Sequence, residues 1–297
     1  MSPGALRIAT RGSPLALVQA ELVATRLGAG ADIVVIKTEG DRRADEPLRE
    51  MGGRGVFTTE VQAAVLDGRA DIAVHSAKDL PSSPELQVEG LVLAAIPERA
   101  DPSDCLIGTT LAALPQGATV GTGSPRREAL LRHLRPDLNF VGLRGNIATR
   151  LARVGEPVGS GDKRLLDAVV GAVAALTRLD LSDRIDDVFD AATFVPQVGQ
   201  GAIAVEARQD DASTLGRLAA IDNADAHTAV LAERAFLATL GGGCDAPVGA
   251  YAHFVAGTLS LVGFLVVDDQ PCWYRARGDE PLALGASVAN ALRGDAA

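Results

Sequence analysis

The chain has 297 residues, 47% of them apolar, and a formal net charge of −10 at pH 7. This length suffices for two or three domains with hydrophobic cores. The acidic balance argues against general affinity for nucleic acid or an anionic membrane surface. No run of about eighteen apolar residues predicts a membrane span. A strand pattern begins near the N-terminus without a signal-peptide pattern, so we expect a globular, cytoplasmic protein.

The cysteines and histidines do not form metal-binding patterns. Cys105, Cys244 and Cys272 are widely spaced without a CxxC, and the four histidines show no HExxH spacing. We therefore expect reduced cysteines and no metal site. Aromatic residues make up only 3% of the chain. The core must then be built from Ala, Val and Leu, which suits α/β layers.

The first predicted strand leads from Ile8 through Thr-Arg-Gly-Ser-Pro into a helix. Ser13 suits the N-cap position and Pro14 the first helical position. Such a helix start exposes backbone N–H groups and the positive end of the helix dipole, which favours an anion. Arg11 adds a positive charge beside it. Residues 39–54 then form a long polar segment, either a mobile cover over a site or a plain surface insert.

The next predicted strand ends in the polar sequence His75-Ser-Ala-Lys-Asp79. Ionisable groups at the carboxyl end of a parallel strand lie where open α/β sheets bind their ligands. The alternative is an ordinary turn in which Asp79 is a solvated or capping residue. The pattern favours a reactive site at this turn.

The second part of the chain repeats the design of the first. Val120-Gly-Thr-Gly-Ser-Pro again runs from a strand into a helix start, with Ser124 as N-cap. Residues 71–80 and 167–176 align without a gap, and the polar set of the first becomes Gly171-Ala-Val-Ala-Ala175. We interpret this as two α/β domains that share one ancestor, with proton chemistry retained only in the first. The alternative is a chance match between short α/β segments.

Two connecting segments predict a hinged cleft between these domains: a crossing at Asp101-Pro-Ser-Asp104 and a return strand over residues 194–206. Arginine is the preferred bidentate partner of carboxylate and phosphate, although any one arginine is more often a surface residue. Five stand beside Gly-rich turns and helix starts, which indicates a ligand with several negative charges; they are Arg11, Arg126, Arg127, Arg144 and Arg150. No Walker A or GxGxxG fingerprint is present, which disfavours a nucleotide.

The third part begins near residue 219. A helix over 225–240 ends at Gly241-Gly-Gly-Cys244, which places a thiol on a glycine loop; an inert exposed cysteine is the alternative. Strands over 248–255, 258–267 and 271–277 and a last helix over 281–293 predict a small domain with a three-stranded antiparallel sheet.

Six motifs, in order, resemble the porphobilinogen deaminase (hydroxymethylbilane synthase) family. They are Arg11-Gly-Ser-Pro-Leu-Ala-Leu, His75-Ser-Ala-Lys-Asp, Gly121-Thr-Gly-Ser-Pro-Arg-Arg, Leu143-Arg-Gly-Asn, Val198-Gly-Gln-Gly and Gly242-Gly-Cys-Asp-Ala-Pro. The resemblance implies an α/β fold of three domains: two periplasmic-binding-protein-like, doubly wound lobes that form a cleft, and a small α+β C-terminal domain. We place them at residues 1–97 with 195–217, at 98–194 and at 218–297.

The resemblance also implies the reaction. Four porphobilinogen molecules are condensed head to tail, with release of ammonia, to give hydroxymethylbilane for haem biosynthesis. The chain grows on a dipyrromethane cofactor that a thioether would attach to Cys244. Porphobilinogen would be the only partner, and the enzyme a cytoplasmic monomer.

The family motifs assign the site residues as follows. Asp79 would be the catalytic residue, a buried carboxylate that stabilises the azafulvene cation left when ammonia departs and assists proton transfer. Besides Cys244 and Asp79, the cofactor would be held by Lys78, Ser124, Arg126, Arg127, Arg144, Gly145 and Gln200. The substrate would be held by Arg11, Ser13, Gln19, Ser76, Arg144 and Arg150.

This chain departs from the family pattern at several positions. Lysines are common in the family where Arg54 and Thr59 stand and near Thr177, so part of the cationic lining is altered. Gly123 replaces a hydroxyl residue, and Gly171 stands where a larger apolar residue is common. Two other classes remain as alternatives: a two-lobed receptor for small carboxylates and a nucleotide-dependent oxidoreductase. The receptor would need neither Asp79 nor Cys244 on its glycine loop, and the oxidoreductase lacks its fingerprint.

Overall fold

The computed structural model describes residues 4–28, 31–38, 58–158, 165–241 and 247–294. Its strands are β1 (Leu6–Arg11), β2 (Ala31–Ile36), β3 (Ile72–Ser76), β4 (Leu91–Ala95), β5 (Asp104–Ile107), β6 (Thr119–Gly121), β7 (Asn139–Val141), β8 (Ala168–Ala172), β9 (Asp187–Val188), β10 (Ile203–Arg208), β11 (Val248–Val255), β12 (Thr258–Val267) and β13 (Gln270–Gly278). Its helices are α1 (Pro14–Leu27), α2 (Thr59–Leu66), α3 (Pro125–Leu134), α4 (Ile147–Leu151), α5 (Val173–Arg178), α6 (Ala212–Leu218), α7 (Ala224–Leu240) and α8 (Pro281–Arg293).

The first lobe is built on a five-stranded sheet in the order β2-β1-β3-β10-β4. Strands β2, β1 and β3 are parallel, and β10 runs antiparallel to both of its neighbours. Ile8, Ile72 and Val205 are buried from three adjacent strands, and Val23 of α1 packs on them. Apolar runs on these strands are the pattern of a sheet covered on both faces.

The second lobe repeats this architecture, in the order β7-β6-β8-β5-β9. Strand β6 is parallel to its neighbours β7 and β8, and β5 is antiparallel to β8 and β9. Equivalent contacts recur: the Arg7 N–H donates to Asp71 Oδ2 at 2.8 Å, and the Thr119 N–H to Asp167 Oδ2 at 2.7 Å. The predicted structural repeat and its gapless alignment of β3 with β8 are confirmed.

The segments that join the lobes run beside each other. The Ala100 N–H donates to Gly201 O at 3.2 Å, and the Gln200 side-chain amide donates to Pro102 O at 2.7 Å. The return strand predicted over residues 194–206 is wrong in its first part, because β10 begins only at Ile203. Gly199 and Gly201 have φ values of +72° and +84°, which no strand accommodates.

The third part forms the antiparallel sheet β11-β12-β13, and the predicted meander is confirmed. One face of this sheet is covered by α7 and α8, both predicted. Residues Val262 and Phe264 on its other face join the core of the second lobe. The mixed α/β class is therefore confirmed, whereas the domain limits given above stay a prediction. No helix in the described ranges is long and apolar enough to cross a bilayer.

Candidate functional site

A small cavity of about 60 Å³ opens in the first lobe where β1 and β3 end and α1 begins. Six of the predicted site residues line it: Arg11, Ser13, Gln19, Ser76, Lys78 and Asp79. Because β1 and β3 are parallel neighbours, their carboxyl ends meet at one edge of the sheet. The fold thus brings together residues that lie more than sixty positions apart in the sequence.

The predicted helix start at this cavity is present. Ser13 has an extended backbone, and its Oγ accepts a hydrogen bond from the Ala16 N–H at 3.4 Å. Pro14 is the first helical residue. The N-terminal turn of α1 thereby faces the space that Arg11 and Lys78 also line.

The polar end of β3 forms a single 3₁₀ turn over Ala77–Asp79. A hydrogen bond from the Ala77 N–H to Ala202 O, at 3.0 Å, ties the turn to the segment just before β10. Asp79 is exposed at the edge of the cavity, so the prediction of a buried carboxylate is wrong for this structure. The reason is local, because the turn carries Asp79 beyond the last residue of the strand. Lys78 is partly buried, and this burial lowers its pKa, against the opposing effect of the Asp79 carboxylate.

Two buried polar side chains stand in the cavity wall. Gln19 is 3% exposed, and its Nε2 has no hydrogen-bond partner in the structure. His75 Nε2 lies 3.1 Å from Glu206 Oε2, within ion-pair distance but without hydrogen-bond geometry. Glu206 accepts two bonds from the Gln62 amide. A buried donor without a partner is costly, so Gln19 points to a ligand acceptor in this cavity.

The second lobe presents the N-terminal turn of α3, where Ser124 Oγ accepts from the Arg127 N–H at 3.4 Å. Both arginines of this turn are buried around the carboxylate of Asp104, which is fully enclosed. Arg126 Nη1 lies 2.7 Å from Asp104 Oδ2, and Arg127 Nη2 lies 2.7 Å from Asp104 Oδ1. Burial opposes ionisation of Asp104, but Arg126 and Arg127 outweigh it and lower its pKa to about 2.

This geometry differs from the predicted direct role of Arg127. Its Nε and Nη2 donate to Asp104, and its Nη1 donates to Val170 O at 3.0 Å. Gln200 Nε2 also donates to Asp104, at 2.9 Å. The Gln200 amide therefore lies in the hinge, by which we mean the two segments that join the lobes. In the sequence, Asp104 stands out as a charged residue at the start of an apolar strand. Only the fold shows which cations surround its carboxylate.

A second group of cations lies beside this cluster. Arg150 Nε donates to Gly145 O at 2.9 Å, and Arg144 precedes that glycine on an exposed loop. Burial lowers the pKa of Arg150, and the charges of Arg127 and Arg144 lower it further. The charges of Arg127 and Arg126 likewise lower the pKa of Lys78 from the other lobe. Lys78 of the first lobe and these arginines of the second lobe are thus close enough for their charges to interact.

Arg178, at the end of α5, is not among the predicted site residues but makes a contact between the lobes. Its Nη2 donates to Gly201 O at 2.7 Å, which ties the second lobe to the return segment. Burial, with a further contribution from Arg26, lowers the pKa of Arg178 to about 10. Nothing in the local sequence distinguishes this arginine from a surface residue.

Three predictions fall outside the described residues: the cofactor attachment at Cys244, the cover at residues 39–54 and the altered residue Arg54. Thr59 and Thr177 are both exposed, and Thr177 Oγ1 accepts from Ser182 Oγ at 3.2 Å. Gly171 needs no larger side chain, because a Cβ there would lie 2.9 Å from both Ile107 and Leu176. Within the described ranges, no three His, Cys, Asp or Glu side chains are grouped to hold a metal.

The fold and the cleft together define a class of protein: a two-lobed α/β protein whose facing lobes present cations and helix N-termini to an organic polyanion. Comparison with known families identifies the family. Residues 6–216 match the model described as "porphobilinogen deaminase, dipyromethane cofactor binding domain", and residues 227–294 match the C-terminal domain of the same family. The chain belongs to the porphobilinogen deaminase family, transferases of tetrapyrrole biosynthesis, and contains the domain that binds the dipyrromethane cofactor.

Curated relatives agree with this assignment. The chain is 45% identical over 298 residues to the porphobilinogen deaminase of a Roseiflexus species, covering 97% of this chain and 95% of that protein. It is 48% identical over 284 residues to the Micrococcus luteus enzyme, covering 85% and 74% of the two chains. A solved Candida albicans protein, described as having the generic periplasmic binding protein fold, covers 73% of this chain and 67% of its own, at 10% identity and a TM-score of 0.35.

Proposed function

We propose that this chain condenses four porphobilinogen molecules head to tail at the cleft between its lobes, with Asp79 as the catalytic carboxylate. The observation that carries the proposal is the cavity of the first lobe. It combines the carboxylate of Asp79, the ammonium of Lys78, the guanidinium of Arg11 and the unpartnered amide of Gln19. Porphobilinogen bears an acetate and a propionate, which such donors recognise.

The residues present also fit the dipyrromethane cofactor. Its carboxylates need cationic partners. Lys78 in the first lobe and Arg144 and Arg150 in the second supply cations, and the helix start at Ser124 lies in the second lobe as well. When bound, this group supplies the pyrrole end to which substrate units are added. We assign Lys78, Ser124, Arg144 and Gly145 to hold it. The N-terminal turn of α3 is positioned by the contacts of Arg126, Arg127 and Gln200 with Asp104. Attachment of the cofactor at Cys244 stays a prediction.

The chain's own groups account for the charge changes of the reaction. Positive charge develops on the substrate pyrrole as ammonia leaves, and a carboxylate at the cavity edge stabilises that charge. The same carboxylate oxygens accept the proton released when the new ring junction forms. Lys78 adjoins Asp79, and Arg11, Ser13 and Ser76 line the same wall, where they orient the carboxylates of the incoming unit.

The first prediction concerns Asp79→Asn. The amide keeps the size of the side chain but removes its negative charge, so we expect turnover to fall by about a hundredfold or more. The rate of ammonia release from porphobilinogen measures this. Glu85→Gln, an exposed carboxylate of the same lobe outside the cavity, is the matched control and should keep the wild-type rate. Near wild-type turnover by Asp79→Asn would remove Asp79 from the catalytic role.

We also propose that the enzyme acts as a monomer. This proposal rests on the resemblance to the porphobilinogen deaminase family. A cytoplasmic location and the lack of nucleic-acid binding stay predictions from the charge and sequence patterns.

A further inference from the structure

A second cavity, of about 430 Å³, lies between the second lobe and the third domain. It is formed by the C-terminal end of α3, residues 192–194, and strands β12 and β13. Its lining shares no residue with that of the catalytic cavity. The α3 helix, about 15 Å long, separates it from the cleft, because Arg126 and Arg127 lie at the opposite end of that helix. We call this cavity the α3–β13 groove.

The walls of the α3–β13 groove are aromatic and apolar. The His133 and Trp273 rings lie 5.0 Å apart, and Leu130 and Phe194 belong to the core beneath them. Trp273 Nε1 donates to Thr193 O at 3.0 Å, so the polar edge of the indole is satisfied within the protein. The groove therefore offers ring faces and apolar edges to an occupant.

The opening of the groove exposes a large apolar side chain. Leu134, at the end of α3, is 49% exposed and lines the groove with the Trp273 ring. A concave surface of this volume with aromatic walls is typical of a small-molecule site. A scattered exposed leucine needs no explanation, but one at the mouth of an apolar cavity favours a bound ring.

The groove also carries a positive charge. Along β13, Trp273 pairs with Phe264 and Arg275 with Val262, so both side chains lie on the sheet face toward the second lobe. Arg275 Nη2 donates to Ala192 O at 3.2 Å, and within the described ranges no carboxylate lies at ion-pair distance from it. Burial lowers the pKa of the neighbouring His253, and the charges of Arg275 and Arg277 lower it further. The Arg275 guanidinium thus places a positive charge at the edge of the groove, in a chain of net charge −10.

We propose that the α3–β13 groove is a second binding site, for a planar aromatic carboxylate. The ring would lie against Trp273, His133 and Leu134, and the carboxylate would accept hydrogen bonds from the remaining N–H groups of Arg275. Such a ligand matches both features of the groove: an apolar slot bordered by rings and one guanidinium at its edge.

The test is a titration with naphthalene carboxylate, followed by the fluorescence of Trp273, the one tryptophan of the chain. We expect saturable quenching, with affinity lowered about tenfold in Arg275→Leu through loss of a charge-assisted bond. The uncharged naphthalene carboxamide should bind wild type and Arg275→Leu equally. Leu134→Gln should weaken the binding of both ligands, whereas Leu282→Gln, at a 62% exposed leucine on α8, should change neither.

One further variant tests whether the site is distinct from the catalytic cleft. Arg11→Leu should leave the titration unchanged, because Arg11 lines only the first of the two cavities. Quenching that does not saturate, or equal affinity of wild type for carboxylate and carboxamide, would overturn the proposal. Loss of binding in Arg11→Leu would do the same by placing the ligand in the cleft.

Discussion

At the scale of single residues, Asp104 is the centre of the hinge. Its two oxygens accept from Arg126, Arg127 and Gln200, all buried. Removing one partner of such a cluster leaves charges without compensation in a low-dielectric interior, which costs more than the intact cluster contributes. Asp104 therefore holds the arginine turn of the second lobe against the return segment from the first.

Replacement of this carboxylate gives a stability prediction. We expect Asp104→Asn to lower the free energy of unfolding by about 3–5 kcal/mol, because it leaves two buried guanidinium groups without a counter-charge. Urea unfolding at neutral pH measures this. Glu128→Gln removes an exposed helix pair with Arg132 and should cost at most about 0.5 kcal/mol. A loss below about 1 kcal/mol in Asp104→Asn would contradict the central role of this residue.

The same residue predicts a pH dependence. Its pKa in the folded protein, about 2, is lower than the ordinary value of 3.8. Its contribution to stability is therefore complete above about pH 4 and is lost as the pH falls towards about 2. Asp104→Asn should show a shallower decline of unfolding free energy over that window. Parallel declines in variant and wild type would show that other carboxylates control acid unfolding.

At the scale of elements, the return segment before β10 positions the reactive turn. Gly199 has a left-handed φ of +72°, and a Cβ there would lie 3.0 Å from the backbone of both Ala77 and Lys78. At Gly201 a Cβ would lie 2.5 Å from Ala100 O. The two glycines allow the segment to pack directly beneath the turn that carries Asp79 and against the crossing segment.

We predict that Gly199→Ala impairs catalysis. A left-handed alanine costs about 1–2 kcal/mol, and its methyl group must displace the Ala77–Lys78 backbone. A shift of the catalytic group by about 1 Å is enough for roughly a hundredfold loss of turnover. The control is Gly216→Ala in α6, where a Cβ meets no atom within 4 Å and helix propensity improves. Turnover and urea midpoint should be measured for both; wild-type turnover in Gly199→Ala would show that this contact does not place Asp79.

At the scale of the whole molecule, Glu233 of α7 joins the third domain to both connecting segments. Its carboxylate, fully buried, accepts from Arg99 Nη1 at 2.6 Å, from the Gly199 N–H at 2.7 Å and from the Ala252 N–H at 2.9 Å. One side chain thus fixes the crossing segment, the return segment and β11. The C-terminal domain is therefore attached to the hinge by the polar contacts of Glu233, in addition to the apolar packing of its sheet on the second lobe.

Glu233→Gln tests this linkage. The amide group places donors opposite backbone donors and leaves Arg99 without its counter-charge, so we expect the third domain to lose its attachment first. In urea, Trp273 fluorescence, which reports the junction with the second lobe, should change before the helical circular dichroism signal. Glu280→Gln, exposed and without a side-chain cap bond on α8, should keep the two transitions coincident. Coincident transitions in Glu233→Gln would show that apolar packing alone holds the domain.

Much of this fold follows from local patterns. The Ser-Pro starts of α1 and α3, the gapless correspondence of β3 with β8 and the meander β11–β13 depend on periodicity, capping and turn chemistry within short windows. The return segment was predicted less well, because its glycine φ values depend on what the backbone meets in space. The family is identified by the order of the motifs, since six motifs in the same order are far more specific than any one of them.

The sequence alone identifies the reactive groups of this protein: an aspartate after a strand, arginines beside helix starts and a cysteine on a glycine loop. Their use depends on the folded structure. It showed that Asp79 is exposed at the cavity edge, that Arg127 is bound to Asp104, and that Glu233 ties the third domain to the hinge. The physical reason is that burial and ion pairing depend on neighbours distant along the chain, which no local pattern specifies.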